Sequence, residues 1–159
     1  ILEYIYGILH SPAYLDKYGK LLKVDFPRVP YPKTKDEFIH YREAGHKLCA
    51  LHLMRSFNLN HYQIGFPCKG NGCITKVRFV PQVENKSVGK VYINDSQYFL
   101  NVPVYVWNLQ IGGYAPAQKW LNDRKGAFLS YEDTVSYRTI LCVLSETIEI
   151  TNKIDELNK

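Results

Sequence analysis

"ITKVRFVPQVENKSVGKVYIN", residues 74 to 94, decides the fold. Its two ends, Ile74–Val80 and Gly89–Asn94, alternate apolar and polar residues and are rich in β-branched and aromatic side chains. That pattern predicts two strands. The middle, "PQVENKSVG", carries proline, asparagine and glycine and predicts a loop, as does "PCKGNGC" (67–73) just upstream. Downstream, "YVWNLQI" (105–111) predicts a further strand.

On both sides of this region the period changes to that of a helix. Ser11-Pro12 is a helix start, serine as N-cap and proline at the first helical position, so Ala13–Leu22 is expected to be helical. "DFPRVPYP" (25–32) has three prolines and predicts an extended arm. Thr34-Lys-Asp-Glu37 is a capping box, and Phe38, Tyr41, Gly45, Leu48 and His52 follow at helical spacing, predicting a helix to about Arg55. Pro116 opens a helix through Trp120 that Gly126 closes. Ser130-Tyr-Glu-Asp133 caps a last, long helix with Tyr137, Ile140, Leu144, Ile148, Thr151 and Ile154 along one stripe. The expected fold is therefore α+β, with helical N- and C-terminal parts packed together around a β-rich middle insert. As one domain, its parts are 1–58, 60–112 and 115–159.

A chain of 159 residues suffices for one domain with a real core, and 46% apolar with 22% charged residues argues against disorder. No 18-residue apolar run and no signal peptide is present, so no membrane partner is expected. Cys49 and Cys142 fall inside helical apolar patterns, where a thiol acts as a small hydrophobe, which points to a cytoplasmic protein and not a disulfide scaffold. The chain starts at Ile1 in an apolar run and reads as a piece of something longer.

The net charge of +5 is unevenly spread. Tyr62–Asn94 carries five bases against one acid, whereas Ser130–Lys159 carries six acids against three bases. The first region suits a polyanion such as nucleic acid.

Motifs for catalysis are missing. "LQIGGY" (109–114) has two adjacent glycines, but neither the spacing of a dinucleotide turn nor the lysine of a P-loop. It reads as a strand-to-helix corner in which Gly112 and Gly113 permit positive φ or close backbone approach. Cys68, Cys73 and His61 give three zinc ligands at most, without a fourth at finger-like spacing. Glu84-x-Lys86 lies in a loop without an aspartate partner, and His40, His46 and His52 do not share one helical face. No cofactor or metal is expected in this segment.

Three stretches carry a resemblance. "ILEYIYGILHSPAYLDKYGKLLKVDFPRVPYP" (1–32) resembles the segment after the methyltransferase core in type ISP restriction-modification enzymes and their adenine-specific methyltransferase relatives. "VYVWNLQIGGYAPAQKWLNDRKGAFLSYED" (104–133) and "LSETIEITNKIDEL" (144–157) resemble the end of the same region. The resemblance covers nearly the whole chain and is weakest over Asn60–Asn85. It implies the C-terminal target-recognition part of a large polypeptide. This part recognises double-stranded DNA for an N6-adenine methyltransferase, whose catalytic domain and S-adenosylmethionine site lie upstream.

Such a module needs cations for phosphates and donor–acceptor side chains for base edges. Lys69, Asn71, Lys76, Arg78, Gln82, Lys86 and Asn94 are the candidates in the insert, and Lys119 and Arg124 are candidates for phosphate on the helix after the glycines. Trp107 and Trp120 read as core. A different function class also fits: a docking module whose helical parts (34–58 and 130–157) bind other domains of an assembly.

Overall fold

The computed structural model describes residues 1–55, 63–111 and 113–156. His61 and Gly112 lie outside the described residues. The elements are, in order, α1 (Leu2–Leu9), α2 (Pro12–Tyr18), a 3-10 turn (Leu21–Lys23) and α3 (Lys35–His52). Then follow β1 (Arg78–Pro81), β2 (Val88–Tyr92), β3 (Tyr98–Pro103), α4 (Val104–Trp107), α5 (Pro116–Asn122) and α6 (Tyr131–Ile154). Helices stand at both ends and a three-stranded antiparallel sheet in the middle, an α+β fold. Among the described residues no helix is long and apolar enough to cross a membrane.

Chain contacts group the residues into two compact units, Ile1–Phe57 with Glu146–Lys159, and Asn58–Ser145. α5 and the first half of α6, which the sequence grouped with the C-terminal helical part, belong to the strand-bearing unit.

The helical unit is organised by a close crossing of α1 and α3. A Cβ at Gly7 would overlap the Tyr41 carbonyl oxygen, and one at Gly45 would overlap the Glu3 carbonyl oxygen. Only glycine lets the two backbones approach this far. Tyr4, Ile8, Tyr14, Tyr41, Leu48 and Ile154 then form one buried cluster. Capping follows the sequence: Ser11 Oγ accepts from the Tyr14 amide (3.1 Å) and Thr34 Oγ1 from the Glu37 amide (3.1 Å). The Glu37 carboxylate reaches past the cap residue to the Lys33 amide (2.5 Å). Asp155 joins the end of α6 to α2, accepting from the Ser11 hydroxyl (2.6 Å) and the Ala13 amide (2.7 Å). His52 links three helices, its Nδ1 2.7 Å from the Tyr6 hydroxyl and its Nε2 2.9 Å from the Thr147 hydroxyl. A neutral ring accepts from one hydroxyl and donates to the other, and burial followed by the nearby His10 lowers its pKa below the ordinary 6.5.

In the strand-bearing unit β2 pairs with β1 on one side and β3 on the other. The inward face carries Phe79, Val91 and Phe99, opposite one another in the register. Phe99 packs edge-on against Tyr137 of α6 (centroids 4.6 Å apart), and Phe79 stacks on Trp107 of α4 (5.7 Å). Tyr137 is fully buried and donates to the Ala117 carbonyl of α5 (2.9 Å), and burial raises its pKa.

The strand content departs from expectation in three places. Of the expected strand Ile74–Val80, ladder pairing begins only at Arg78. Before that, the Thr75 and Lys76 amides converge on one carbonyl, that of Ile93 (2.9 and 3.1 Å). The third strand is Tyr98–Pro103, while "YVWNLQI" begins with a helical turn. Pro103 (φ −64°) cannot donate to a ladder and starts that turn as its N-cap. Asn101 at φ +59° interrupts the alternation of β3, so its sequence lacks a clean period. α5 stops at Asn122, four residues before Gly126 (φ +86°) reverses the chain.

Gly45→Ala is expected to cost about 1–3 kcal/mol, as an overpacked contact, with Gly65→Ala as the control because open space surrounds that position. Denaturant titration checks it. His52 supplies a pH test, since its folded pKa lies below its unfolded value. Its contribution is present above about pH 6.5 and is lost as pH falls through the depressed folded value. The measured slope of stability between about pH 7 and pH 5 should therefore flatten in His52→Gln.

Candidate nucleic-acid interface

The outward face of the sheet carries a basic and aromatic row. Arg78, Tyr92 and Tyr98 lie opposite one another across the three strands, and Lys90 faces Val80. The Arg78 guanidinium lies over the Tyr92 ring, 4.4 Å from its centre. Tyr92 and Tyr98 have ring centroids 5.1 Å apart, and the Lys90 ammonium lies 4.5 Å above the Tyr98 ring. The row therefore runs cation, ring, ring, cation. Among the described residues neither Arg78 nor Lys90 has a carboxylate partner. Cation–π contact fixes the positions of both charges without neutralising them.

At one end of this row lies a loop built around Gln97. This side chain is buried (2% exposed), and its Oε1 accepts from the Gly72 amide (2.9 Å) and the Asn94 side-chain amide (3.0 Å). Asn94 Nδ2 also donates to the Cys73 carbonyl (3.0 Å), and its Oδ1 accepts from the Gln97 amide (2.7 Å) and the Ser96 amide (3.0 Å). Asn94 thus closes the β2–β3 turn and anchors the 70–73 loop to it. That loop also pairs with the segment after α5: the Leu129 amide donates to the Gly72 carbonyl (2.9 Å), and Ile74 exchanges bonds with Gly126 and Ala127.

Besides Asn94 in the β2–β3 turn, the other eight candidates fall into three groups. Lys69 and Asn71 stand exposed on the loop held by Gln97, and exposed Lys76 leads into β1 and Arg78. Asn71 Oδ1 accepts from the Cys73 amide (3.0 Å). Gln82 and exposed Lys86 lie at the opposite end of the sheet, in the β1–β2 turn, where Gln82 Nε2 donates to Asn101 Oδ1 (2.9 Å). Lys119 and Arg124 are on or just after α5 and already engaged. Lys119 forms an ion pair with Asp123 (2.7 Å). Arg124 donates to the Trp120 carbonyl (3.0 Å) and stacks over the Trp120 ring, 3.8 Å from its centre.

Sequence pattern alone does not single out Lys90, Tyr92 and Tyr98 as site residues. Their signal was the polar phase of "GKVYIN" and "YFLNV", which is readable only once the register places Arg78 across from Tyr92. At the glycine corner, Ile111 and Tyr114 exchange backbone hydrogen bonds (2.9 and 3.2 Å) around Gly113 at φ +91°. Cys68 and Cys73 are half-buried free thiols.

The sequence profile of the Type ISP C-terminal specificity domain matches residues 1–153. The chain belongs to this family. Similar solved structures include a nuclease-deletion mutant of the Type ISP restriction-modification enzyme LlaGI in complex with a DNA substrate mimic (TM-score 0.71, 23% identity). They also include the ATP-dependent Type ISP restriction-modification enzyme LlaBIII bound to DNA (0.69, 19%) and the DrdV–DNA complex (0.69, 20%). The match covers 97%, 98% and 95% of this chain but 13%, 11% and 17% of those chains. No curated protein matches. The specificity domain thus has the span of a small part of such enzymes.

Gln97→Ala leaves the Gly72 amide and the Asn94 amide without their shared acceptor. Stability should fall by about 1–3 kcal/mol, and hydrogen exchange at Gly72 should accelerate. Lys86→Ala, on an exposed side chain at the other end of the sheet, should stay within about 0.5 kcal/mol of wild type.

Proposed function

We propose that the chain is the DNA target-recognition domain of a larger N6-adenine DNA methyltransferase and restriction-modification polypeptide, and is not catalytic by itself. The observation that carries this reading is the outward sheet face, where Arg78 and Lys90 are held on tyrosine rings in a specificity-domain fold and, among the described residues, have no carboxylate partner. Phosphate contacts supply most of the affinity for a duplex, and base-edge contacts supply the sequence information. Lys69, Lys76, Lys86 and Lys90 suit the first role, and Arg78, Asn71 and Gln82 suit the second. Lys119 and Arg124 reach phosphate only by leaving their present partners. Asn94 serves by shaping the turn.

S-adenosylmethionine belongs to the catalytic domain upstream in the same polypeptide, which is also this domain's protein partner. Four free cysteines and a DNA substrate fit a cytoplasmic setting. The docking role is favoured by a separate observation: Leu21, Val24, Phe26 and Tyr31 of the helical unit are exposed apolar residues, Phe26 at 89%. Exposed apolar side chains of this kind suit packing against the rest of the polypeptide, and both roles hold together.

The isolated chain should bind duplex DNA at micromolar or weaker affinity. With about four phosphates neutralised, log K against log[salt] should slope by roughly −3 to −4. Fluorescence anisotropy at several salt concentrations measures it. Flat salt dependence, or no binding at low salt, leaves only the docking role. For the full polypeptide, methylome sequencing of expressing cells should report N6-methyladenine in one defined motif. Methylation at cytosine instead contradicts the adenine assignment.

A further inference from the structure

We infer that Arg78, positioned by Tyr92, reads one guanine of the target in the major groove, and that Lys90, positioned by Tyr98, contacts a neighbouring phosphate. The inference rests on the target-recognition reading and names the base that this face recognises.

Its first ground is the chemistry of the guanidinium. Every polar hydrogen of Arg78 is a donor, in a planar fork. Only guanine presents two adjacent acceptors, O6 and N7, on its major-groove edge; adenine places a donor beside N7, cytosine offers a donor, and thymine offers one acceptor beside a methyl group. Packing over Tyr92 engages the face of the guanidinium and leaves its edge donors available. Among the described residues no hydrogen bond or ion pair occupies them. Arg124, by contrast, already donates to the Trp120 carbonyl.

The second ground is the shape of the sheet. β1 is an edge strand of the three-stranded sheet, paired with β2 on one side and, among the described residues, open on the other. The major groove, about 12 Å wide, has room for two adjacent strands, so the β1–β2 side of the sheet can enter it edge first. Arg78 lies on that edge strand, and Lys90 lies one strand inward on the same face.

The third ground is positioning. A long side chain that is free in solution must be ordered on binding, which weakens the complex. Ring contact orders Arg78 and Lys90 beforehand, and Tyr92 against Tyr98 couples the two sites. Tyr92 and Tyr98 are therefore positioning residues, and Arg78 is the specificity-determining one.

The test is selection of bound duplexes from a randomised library by the full polypeptide carrying this domain, read by sequencing. Wild type should enrich a motif containing at least one guanine. In Arg78→Ala, which removes the donor fork, preference for one guanine should fall roughly 5- to 150-fold while the preferences at the other positions hold. Tyr92→Leu should weaken the same preference about 2- to 5-fold, and Tyr92→Phe should restore it because the ring is kept. Lys90→Gln should leave the motif unchanged and reduce the salt slope by about 1. An unchanged motif in Arg78→Ala overturns the inference, as does equal loss at every position. Equal loss in Tyr92→Phe and Tyr92→Leu rejects the positioning role. A wild-type polypeptide that enriches no motif at all rejects target recognition itself, a result distinguishable from the others.

Discussion

The strand-bearing unit depends on one buried side-chain amide. Gln97 is held in the β2–β3 turn by Asn94 and accepts from the backbone of a loop 25 residues earlier. An unpaired polar group in that position costs about 1–3 kcal/mol, so the turn and the loop stabilise each other. The loop in turn pairs with the segment that leaves α5. Lys69, Asn71, Lys76 and Arg78, scattered over ten positions of sequence, thereby share one end of one sheet.

That constraint also separates two kinds of cation. Lys119 and Arg124 sit beside their own helix's partners, an aspartate four residues on and a carbonyl four residues back. Helical spacing supplies such partners automatically. A strand supplies none along its own length, and the outward row here offers tyrosines across the ladder instead of acids. A ring holds a cation in place while leaving its charge available to an anion. The sheet therefore serves as a base for fixed positive charge, and a helix such as α5 does not.

Much of the scaffold was legible because local chemistry determines it. Ser11, Thr34 and Ser130 each cap the helix expected of them, and Ser130 and Asp133 exchange reciprocal bonds at the start of α6 (2.9 and 3.0 Å). The Gly7–Gly45 crossing was not legible, because close approach involves two helices and neither sequence alone reports it. β3 escaped for a related reason: Asn101 at φ +59° and a register shift between Gly89 and Val91 break the period of two that a strand otherwise displays. "YVWNLQI" misled because branched and aromatic residues also pack well on a single helical turn. At the candidate site the charges, Arg78 among them, are readable in the sequence. The tyrosines that hold Arg78 and Lys90 are not, since cross-strand neighbours follow from register, and register follows from the turns.

Photocrosslinking tests the central account most directly. The full polypeptide would carry p-benzoylphenylalanine in place of Tyr92 on the sheet face or, for comparison, in place of exposed Glu43 on α3. Irradiation with duplex DNA at low salt should give a DNA adduct from position 92 that disappears as salt is raised, and little from position 43. An adduct from position 43 with none from position 92 would place the DNA elsewhere and contradict the account.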